Sequence, residues 1–418
     1  MPHVAPRKPA TDEPASDAAA ETRISSLGDD LLLEVFLRLP SLATLVRAAL
    51  TCRAWRGAVA SSPAFRRRFR AVHPPPLLGF FVEAPHDGHS PNVPASPPFV
   101  PTCTRDRDLA AAVRGGDCFL TSLHGGLQGS GGGGELSCWD IVDCSGGYVL
   151  LVNADEELFT VVNPLTRCNE TASFDLCTNP DDSVVQLHPR LVCVDEDRIS
   201  FLAVLLAHDE SRVQARFFSL DTREWSMGPW VKVPEPVRSA DHSNWIRDQG
   251  SMQANGFLYW VYDDRRHMVS LDTATMEISV FELPQCLLES YVKNVGETKG
   301  GATCIVYAEM LNVGVLMHTR DDDGVGGWVQ DRAVTMATEL ERVLPGKFDE
   351  HSQMVGVWAV QDGYAYVATS ADPFNMNALC WFMSLCLETM KLEKLFRMPN
   401  NVFDVHPYIM RWPRLLNS

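Results

Sequence analysis

The sequence has 418 residues, too many for one ordinary core, and predicts two or three domains, or one small domain followed by a large repeat-built one. Its net charge of −17 argues against a general affinity for nucleic acid, and its 45% of hydrophobic residues can bury a core over most of the chain. No apolar run approaches the roughly 18–20 residues of a membrane span, and the N-terminus lacks the apolar stretch of a secretory signal.

Residues 1–22 are rich in Pro, Ala and small charged residues, and we expect them to be disordered. Residues 23–70 form the only long helical block that the sequence predicts. Ser26 is expected to cap its first helix and Pro40 to end it. This helix is indicated by apolar residues at helical spacing, namely Leu27, Leu31, Leu32, Val35, Phe36 and Leu39.

Three shorter helices follow in the same block. Ser41 caps the second, which carries Leu45, the third carries Cys52 and Trp55, and Ser62 caps the fourth. A bundle of this size is too small to enclose all of these large apolar side chains. Part of its apolar surface is therefore expected to pack against a partner or, alternatively, against the rest of the chain. The block holds nine arginines against three acidic residues, a net charge of +6, which leaves −23 elsewhere. This charge suits an acidic protein partner better than nucleic acid, although a solvated helical face is a further alternative.

From about residue 76 the sequence predicts strands and no helices. Runs such as "LLGFFV" (77–82) and "GFLYWVY" (256–262) are short, rich in β-branched and aromatic residues, and bounded by turn residues. Similar turns recur near positions 106, 163, 221, 272, 322 and 388. A period in the fifties that contains several strands is typical of a β-propeller, here of about six blades. Five or seven blades, and a pair of β-sandwiches, remain alternatives. The stretches 85–98 and 126–135 are predicted to be flexible, exposed loops.

No motif of catalysis, metal binding or cofactor binding is convincing. The Gly-rich run formally matches G-x-G-x-x-G but does not open a helix after a strand, and His86 and His89 lie in a Pro-rich loop. Twelve cysteines without a C-x-x-C pair favour free buried thiols in a reducing compartment. Asp221 and Asp272 are interpreted as hairpin-turn residues. Blade packing is the predicted role of Trp225, Trp260, Trp328, Trp358 and Trp381.

Three motifs within the helical block together resemble an F-box: "LGDDLLLEVFLRLP", "TCRAWR" and "PAF". The sequence departs from that pattern at Gly28, where the family usually has proline, and at Thr51, where it usually has valine. The segments "DCSGGYVLL", "VVNPLT" and "NGFLYWVYDD" are similar to the β-propeller-type domain found behind many plant-type F-boxes.

The resemblance implies a non-catalytic adaptor of a Skp–cullin–F-box ubiquitin ligase, without a cofactor or metal. An F-box at 23–70 would dock on the acidic Skp subunit, and a propeller at 71–418 would hold an unidentified target protein through loops such as 85–98, 126–135 and 236–250. The alternatives are a scaffolding role outside ubiquitination and a propeller glycosidase. By the family pattern, the residues that form or support the Skp-binding face are Leu27, Gly28, Leu31, Leu32, Val35, Leu39, Leu45, Cys52, Arg53, Trp55 and Arg56.

Overall fold

The structure is a computed structural model of the chain. The predicted tail at 1–22, Leu27, and nearly all of the predicted loops at 85–98 and 126–135 lie outside the residues it describes. The described residues are 28–83, 98–102, 106–123, 139–153, 156–173, 184–195, 200–234, 245–247, 252–263, 265–288, 290, 292–320, 326–345, 354–370, 378–400, 404–410, 412–413 and 416.

A bundle of four helices comes first. It comprises α1 (Asp29–Leu37), α2 (Leu42–Thr51), α3 (Arg53–Ala60) and α4 (Pro63–Val72). The hydroxyls of Ser41 and Ser62 accept hydrogen bonds from backbone N–H groups at the starts of α2 and α4, as predicted. Helix α1 begins at Asp29, and its N-cap is Gly28 rather than the predicted Ser26, which lies outside the described residues.

The bundle core includes two residues from the other end of the chain, Trp412 and Leu416. Trp412 packs edge-on against Phe69 of α4, with the ring centroids 5.8 Å apart. The bundle therefore buries part of its apolar surface against its own chain, the alternative that the sequence left open. The core residues that the helices supply are Leu32, Phe36, Leu42, Leu45, Ala49, Ala58, Val59, Phe65 and Phe69.

Six antiparallel sheets follow. Sheet 1 comprises β1 (Leu77–Glu83), β2 (Phe99–Pro101) and β26 (Asp404–Ile409). Sheet 2 comprises β3 (Asp140–Ser145), β4 (Tyr148–Asn153), β5 (Leu158–Asn163) and β6 (Cys168–Ser173). Sheet 3 comprises β7 (Val185–Gln186), β8 (Arg190–Asp195), β9 (Ser200–His208), β10 (Arg212–Ser219), β11 (Glu224–Met227) and β12 (Val231–Lys232).

The second half of the chain forms the remaining three sheets. Sheet 4 comprises β13 (Ile246–Arg247), β14 (Gln253–Ala254), β15 (Phe257–Tyr262), β16 (His267–Asp272) and β17 (Ile278–Glu282). Sheet 5 comprises β18 (Val292–Glu297), β19 (Thr303–Glu309), β20 (Asn312–Arg320) and β21 (Gly326–Thr335). Sheet 6 comprises β22 (Met354–Gln361), β23 (Tyr364–Ser370), β24 (Leu379–Cys386) and β25 (Lys391–Pro399).

The six sheets close into a ring, because each one shares a hydrophobic cluster with the next, including sheet 6 with sheet 1. The closure is made by the last strand, β26, which pairs antiparallel with the first, β1. The all-strand domain is therefore a six-blade β-propeller, as predicted, and not a pair of β-sandwiches. Each of the five predicted packing tryptophans belongs to one of these clusters between sheets.

The turn that repeats in the sequence has one shape in four blades. In each, a backbone N–H donates to the carbonyl oxygen four residues earlier at 2.8 Å, and the donor residue has a positive φ of 53–60°. Asp272 accepts backbone N–H bonds within its turn, as predicted. The four pairs of donor and acceptor are Arg167 and Asn163, Arg223 and Ser219, Met276 and Asp272, and Met390 and Cys386.

The prediction that helices are absent beyond residue 76 is wrong at two places. Asp106, interpreted as a turn residue, caps α5 (Arg107–Gly115) by accepting two backbone N–H bonds. The second helix, α6 (Ala337–Val343), packs Leu340 and Val343 between sheets 5 and 6. No helix among the described residues is long and apolar enough to cross a membrane. Eight of the nine cysteines within the described ranges, all but Cys168, are in thiol form and make no disulfide.

Candidate functional site

The outer side of α1 carries an apolar stripe that the described part of the chain leaves largely exposed. Leu31 is 61% exposed and Val35, one turn later, is 51% exposed. Two neighbouring apolar side chains in water are unfavourable, by about 1.5–3 kcal/mol for each side chain that a partner could fully bury. We call Leu31 and Val35 the α1 stripe.

The opposite side of α1 holds the bundle together. Leu32 and Phe36 are buried in its core, next to Leu45 of α2. Trp55 of α3 packs edge-on against Phe36, with the ring centroids 5.5 Å apart, and remains partly exposed. Leu39 also packs partly buried against this core. These predicted site residues thus support the α1 stripe from within rather than form the outer surface.

The remaining predicted site residues lie at the starts of two helices. Cys52 and Arg53 are exposed where α3 begins, and Arg56 is half-buried one turn later. Gly28 is exposed at the start of α1, with no atom within 4 Å of the position that a Cβ would occupy. Leu27 lies outside the described residues.

Two arginines of the bundle form ion pairs with acidic residues of the same chain. Arg68 of α4 pairs with Glu34 of α1 at 2.6 Å, and Arg47 of α2 pairs with Asp108 of α5. The second pair joins the bundle to the propeller side of the chain. The sequence could not reveal these pairs, because their partners are 34 and 61 residues apart.

The bundle lies at one mouth of the channel through the propeller. α4 ends five residues before β1 begins, and its Arg67 and Arg70 line a channel cavity of about 880 Å³. The Arg70 guanidinium lies over the Trp412 ring, 5.6 Å from its centroid. Helix α4 and Trp412 therefore fix the bundle at this end of the ring. A function for this arrangement was not predicted from the sequence.

Acidic residues face α4 from the channel side. Both Glu297 at the end of β18 and Asp362 in the turn after β22 line the cavity. Burial, and to a lesser degree the Glu297 charge, raises the pKa of Asp362 to about 6, while the Arg70 charge acts in the opposite direction. Glu297 also accepts a backbone N–H bond from Asn255 at 2.6 Å, which ties sheet 5 to sheet 4.

The residues that flank the predicted target-binding loop at 85–98 lie at the other mouth of the ring, and nearly all of the loop is outside the described residues. Its described flanks are Glu83 at the end of β1 and Phe99 at the start of β2. The bundle adjoins β1 at Leu77, the opposite end of that strand. Because β1 is seven residues long, roughly 20 Å separates its two ends. Among the described residues, the four-helix bundle therefore adjoins the Leu77 end of β1 and not the Glu83 end.

Comparison with known families gives two matches. Residues 24–71 match the family described as F-box-like. Residues 140–416, about two thirds of the chain, match the family described as "F-box protein AT5G49610-like, beta-propeller". A comparison with curated proteins finds no match.

Solved structures of low sequence identity also match the chain. A protein from Lactobacillus plantarum is 11% identical over 63% of this chain and 72% of its own, with a TM-score of 0.32. A streptogramin B lyase is 12% identical over 63% and 84%, with a TM-score of 0.30. A luciferin-regenerating enzyme is 11% identical over 62% and 74%, with a TM-score of 0.33. Of these comparisons it is the two family matches that decide the identity, and the chain belongs to the F-box proteins with an AT5G49610-like β-propeller.

Proposed function

We propose that this protein is the substrate-recognition subunit of a Skp–cullin–F-box ubiquitin ligase. The F-box binds a Skp-type adaptor and, through it, the cullin, and the propeller binds the target protein. In this role the chain performs no covalent chemistry. It raises the local concentration of a target lysine near the activated ubiquitin that the other subunits carry.

The observation that carries this proposal is the α1 stripe. Leu31 and Val35 are exposed although the same helix buries Leu32 and Phe36. The bundle is thus complete without the stripe, which leaves it available to a second polypeptide. Exposed Arg53 at the start of α3 suits the acidic surface of a Skp-type adaptor.

The contacts between bundle and propeller support a rigid spacing between adaptor and target. Trp412 reaches the bundle core from the propeller's last strand, and the Arg47–Asp108 pair joins α2 to α5. A fixed orientation favours ubiquitin transfer, because a target held at a defined distance keeps its effective concentration high.

We propose that the chain divides into a tail at 1–22, an F-box at 23–70 and a target-binding propeller at 71–418.

We place this function inside the cell, in the cytoplasm or the nucleus, where Skp–cullin ligases act. The target-binding side is proposed to be the mouth at the Glu83 end of β1, because the helical bundle occupies the other mouth. Neither nucleic acid nor a membrane is a proposed partner, since the chain outside the F-box carries a charge of −23.

The experiment that tests this function is affinity capture from cells treated with a proteasome inhibitor. Wild type is compared with the double variant Leu31→Arg/Val35→Arg, which charges the α1 stripe without touching the bundle core. We expect the Skp-type adaptor and cullin to disappear from the variant's partners, while target proteins bound by the propeller remain.

The matched control is Leu379→Arg on β24, where an exposed leucine of the propeller receives the same charge. It should capture as much adaptor as wild type. If Leu31→Arg/Val35→Arg captured as much adaptor as wild type, the proposed docking face would be contradicted. Recovery of the adaptor and cullin without any protein stabilised by the inhibitor would instead indicate a scaffolding role outside ubiquitination.

A further inference from the structure

Three possible metal ligands lie on one face of sheet 1. Glu83 of β1 is directly opposite Asp404 of β26, and Phe81 is directly opposite His406. Side chains of paired residues share a face, as do side chains two positions apart on one strand. Glu83, Asp404 and His406 therefore point to the same side, and one ligand atom from each lies within 4.8 Å of the other two.

The histidine in this group is buried with an unsatisfied nitrogen. His406 is only 3% exposed, and its Nε2 has no hydrogen-bond partner among the described residues. Nε2 lies 3.7 Å from Oδ2 of Asp404, beyond the usual length of a hydrogen bond. A buried polar nitrogen without a partner is unfavourable unless something else binds it.

The spacing suits an ion between the two groups. Bonds of about 2.1 Å from a tetrahedral metal to its ligands place neighbouring ligand atoms about 3.4 Å apart, close to the observed 3.7 Å. The other oxygen of Asp404, Oδ1, accepts the backbone N–H of Val405 at 2.8 Å. That bond orients the carboxylate and leaves Oδ2 directed at the histidine, as supporting hydrogen bonds do in metal sites.

We propose that Glu83, Asp404 and His406 bind a divalent transition-metal ion, with zinc as the best-fitting candidate. An imidazole with two carboxylates favours zinc over magnesium or calcium, which prefer oxygen ligands alone. Three protein ligands leave a fourth position for water or a further group.

A metal ion at this site would stabilise the closed ring of the propeller. β1 and β26 are the first and last strands of the propeller, and their pairing is what joins its two ends. An ion that binds one carboxylate from β1 and two groups from β26 links these strands through side chains as well as through the backbone. Because the unfolded chain cannot assemble this set of ligands, ion binding raises the stability of the closed ring.

The test is zinc titration of the full-length protein by isothermal titration calorimetry after treatment with a chelator. We expect wild type to bind one zinc ion that Glu83→Gln and Asp404→Asn bind about tenfold more weakly or worse. The thermal midpoint of wild type should rise with zinc, and those of the variants should not. The exposed His188→Gln serves as a control for surface histidine and should behave as wild type.

Cobalt provides a second readout that depends on the ligands themselves. Wild type with cobalt should show a visible absorption band that His406→Gln lacks, at equal protein and metal concentrations. The proposal would be overturned if wild type bound no zinc, or if Glu83→Gln and Asp404→Asn bound zinc as tightly as wild type does. His406 and Asp404 would then form an ion pair only. Tighter binding of calcium or magnesium than of zinc would overturn the assignment of the metal.

Discussion

Gly28 is the residue at which the F-box departs from its usual sequence, and its backbone is already suited to proline. Its φ is −60° and ψ is 154°, and the space around its Cβ position is open. Proline fixes φ near −65°, so Gly28→Pro removes freedom from the unfolded chain without strain in the folded one.

We expect Gly28→Pro to stabilise the protein by about 0.4–1 kcal/mol, measured as the free energy of unfolding in urea. Gly363→Ala is the opposite control, since Gly363 has a φ of +82° and its Cβ would lie 2.7 Å from the backbone nitrogen of Lys299. That variant should be less stable than wild type. A destabilising Gly28→Pro would show that the entry to α1 needs another conformation.

Asp362 predicts a dependence of stability on pH. Burial raises its pKa from 3.8 to about 6 in the folded protein, so the folded state binds the proton more tightly than the unfolded one. The resulting stabilisation is full below a pH of about 4 and is lost as the pH rises through 6. Charged groups that face Asp362 are Glu297, which adds to the shift, and Arg70, which opposes it.

We therefore expect Asp362→Asn to be more stable than wild type at pH 7, by about 1–3 kcal/mol, and the difference to shrink towards pH 4. Asparagine keeps the turn, because it tolerates the positive φ of 51° at this position. Unfolding curves at several pH values measure the difference, with Asp221→Asn as a control for loss of one exposed negative charge. A difference that does not change with pH would contradict the argument.

Helix α1 shows what could be predicted at the scale of one element and what could not. Its apolar spacing correctly predicts a helix, but apolar residues cover most of its circumference. The sequence alone gives no reason why the side with Leu32 and Phe36 is buried and the side with Leu31 and Val35 is not. Contacts with α3 and α4 decide this, and those helices are apart in sequence.

Strand β18 depends on a residue without a side chain. A Cβ on Gly296 would overlap the backbone carbonyl of Val360 on β22, so sheets 5 and 6 leave no room for a side chain here. We expect Gly296→Ala to destabilise the protein by about 1–3 kcal/mol, measured by chemical denaturation. Gly327→Ala on β21, where a Cβ would meet no atom within 4 Å, should change stability little. Equal effects of both variants would show that the packing of sheets 5 and 6 is looser than described.

At the scale of the whole molecule, the repeated turns predicted a propeller, but two features of it could not be read from the sequence. The pairing of β1 with β26 joins residues about 320–330 positions apart, and neither strand carries a local signal of its partner. Trp412 likewise gives no sign that it completes the core of a bundle at the other end of the chain. Both depend on closure of the ring, a property of the complete fold.

Trp412 links the helical bundle to the propeller, and this contact should make the two parts unfold cooperatively. We expect Trp412→Ala to destabilise the bundle by about 3–5 kcal/mol and to split thermal unfolding into two transitions, the bundle melting first. Differential scanning calorimetry measures this. Trp230→Ala, which removes an indole stacked with Arg212 of the propeller, should leave the unfolding pattern of the bundle unchanged. A single transition in Trp412→Ala would show that other contacts suffice to couple the two parts.

We propose that the exposed side of α1 binds a Skp-type adaptor. The most direct test is the affinity of the purified full chain for a purified Skp-type protein, in wild type and in Leu31→Arg/Val35→Arg. The double variant loses two apolar side chains that the adaptor would bury. Its affinity for the adaptor is therefore expected to be weaker by a factor of about 100 or more, with an unchanged thermal midpoint. Equal affinity of the two proteins for the adaptor would contradict the account.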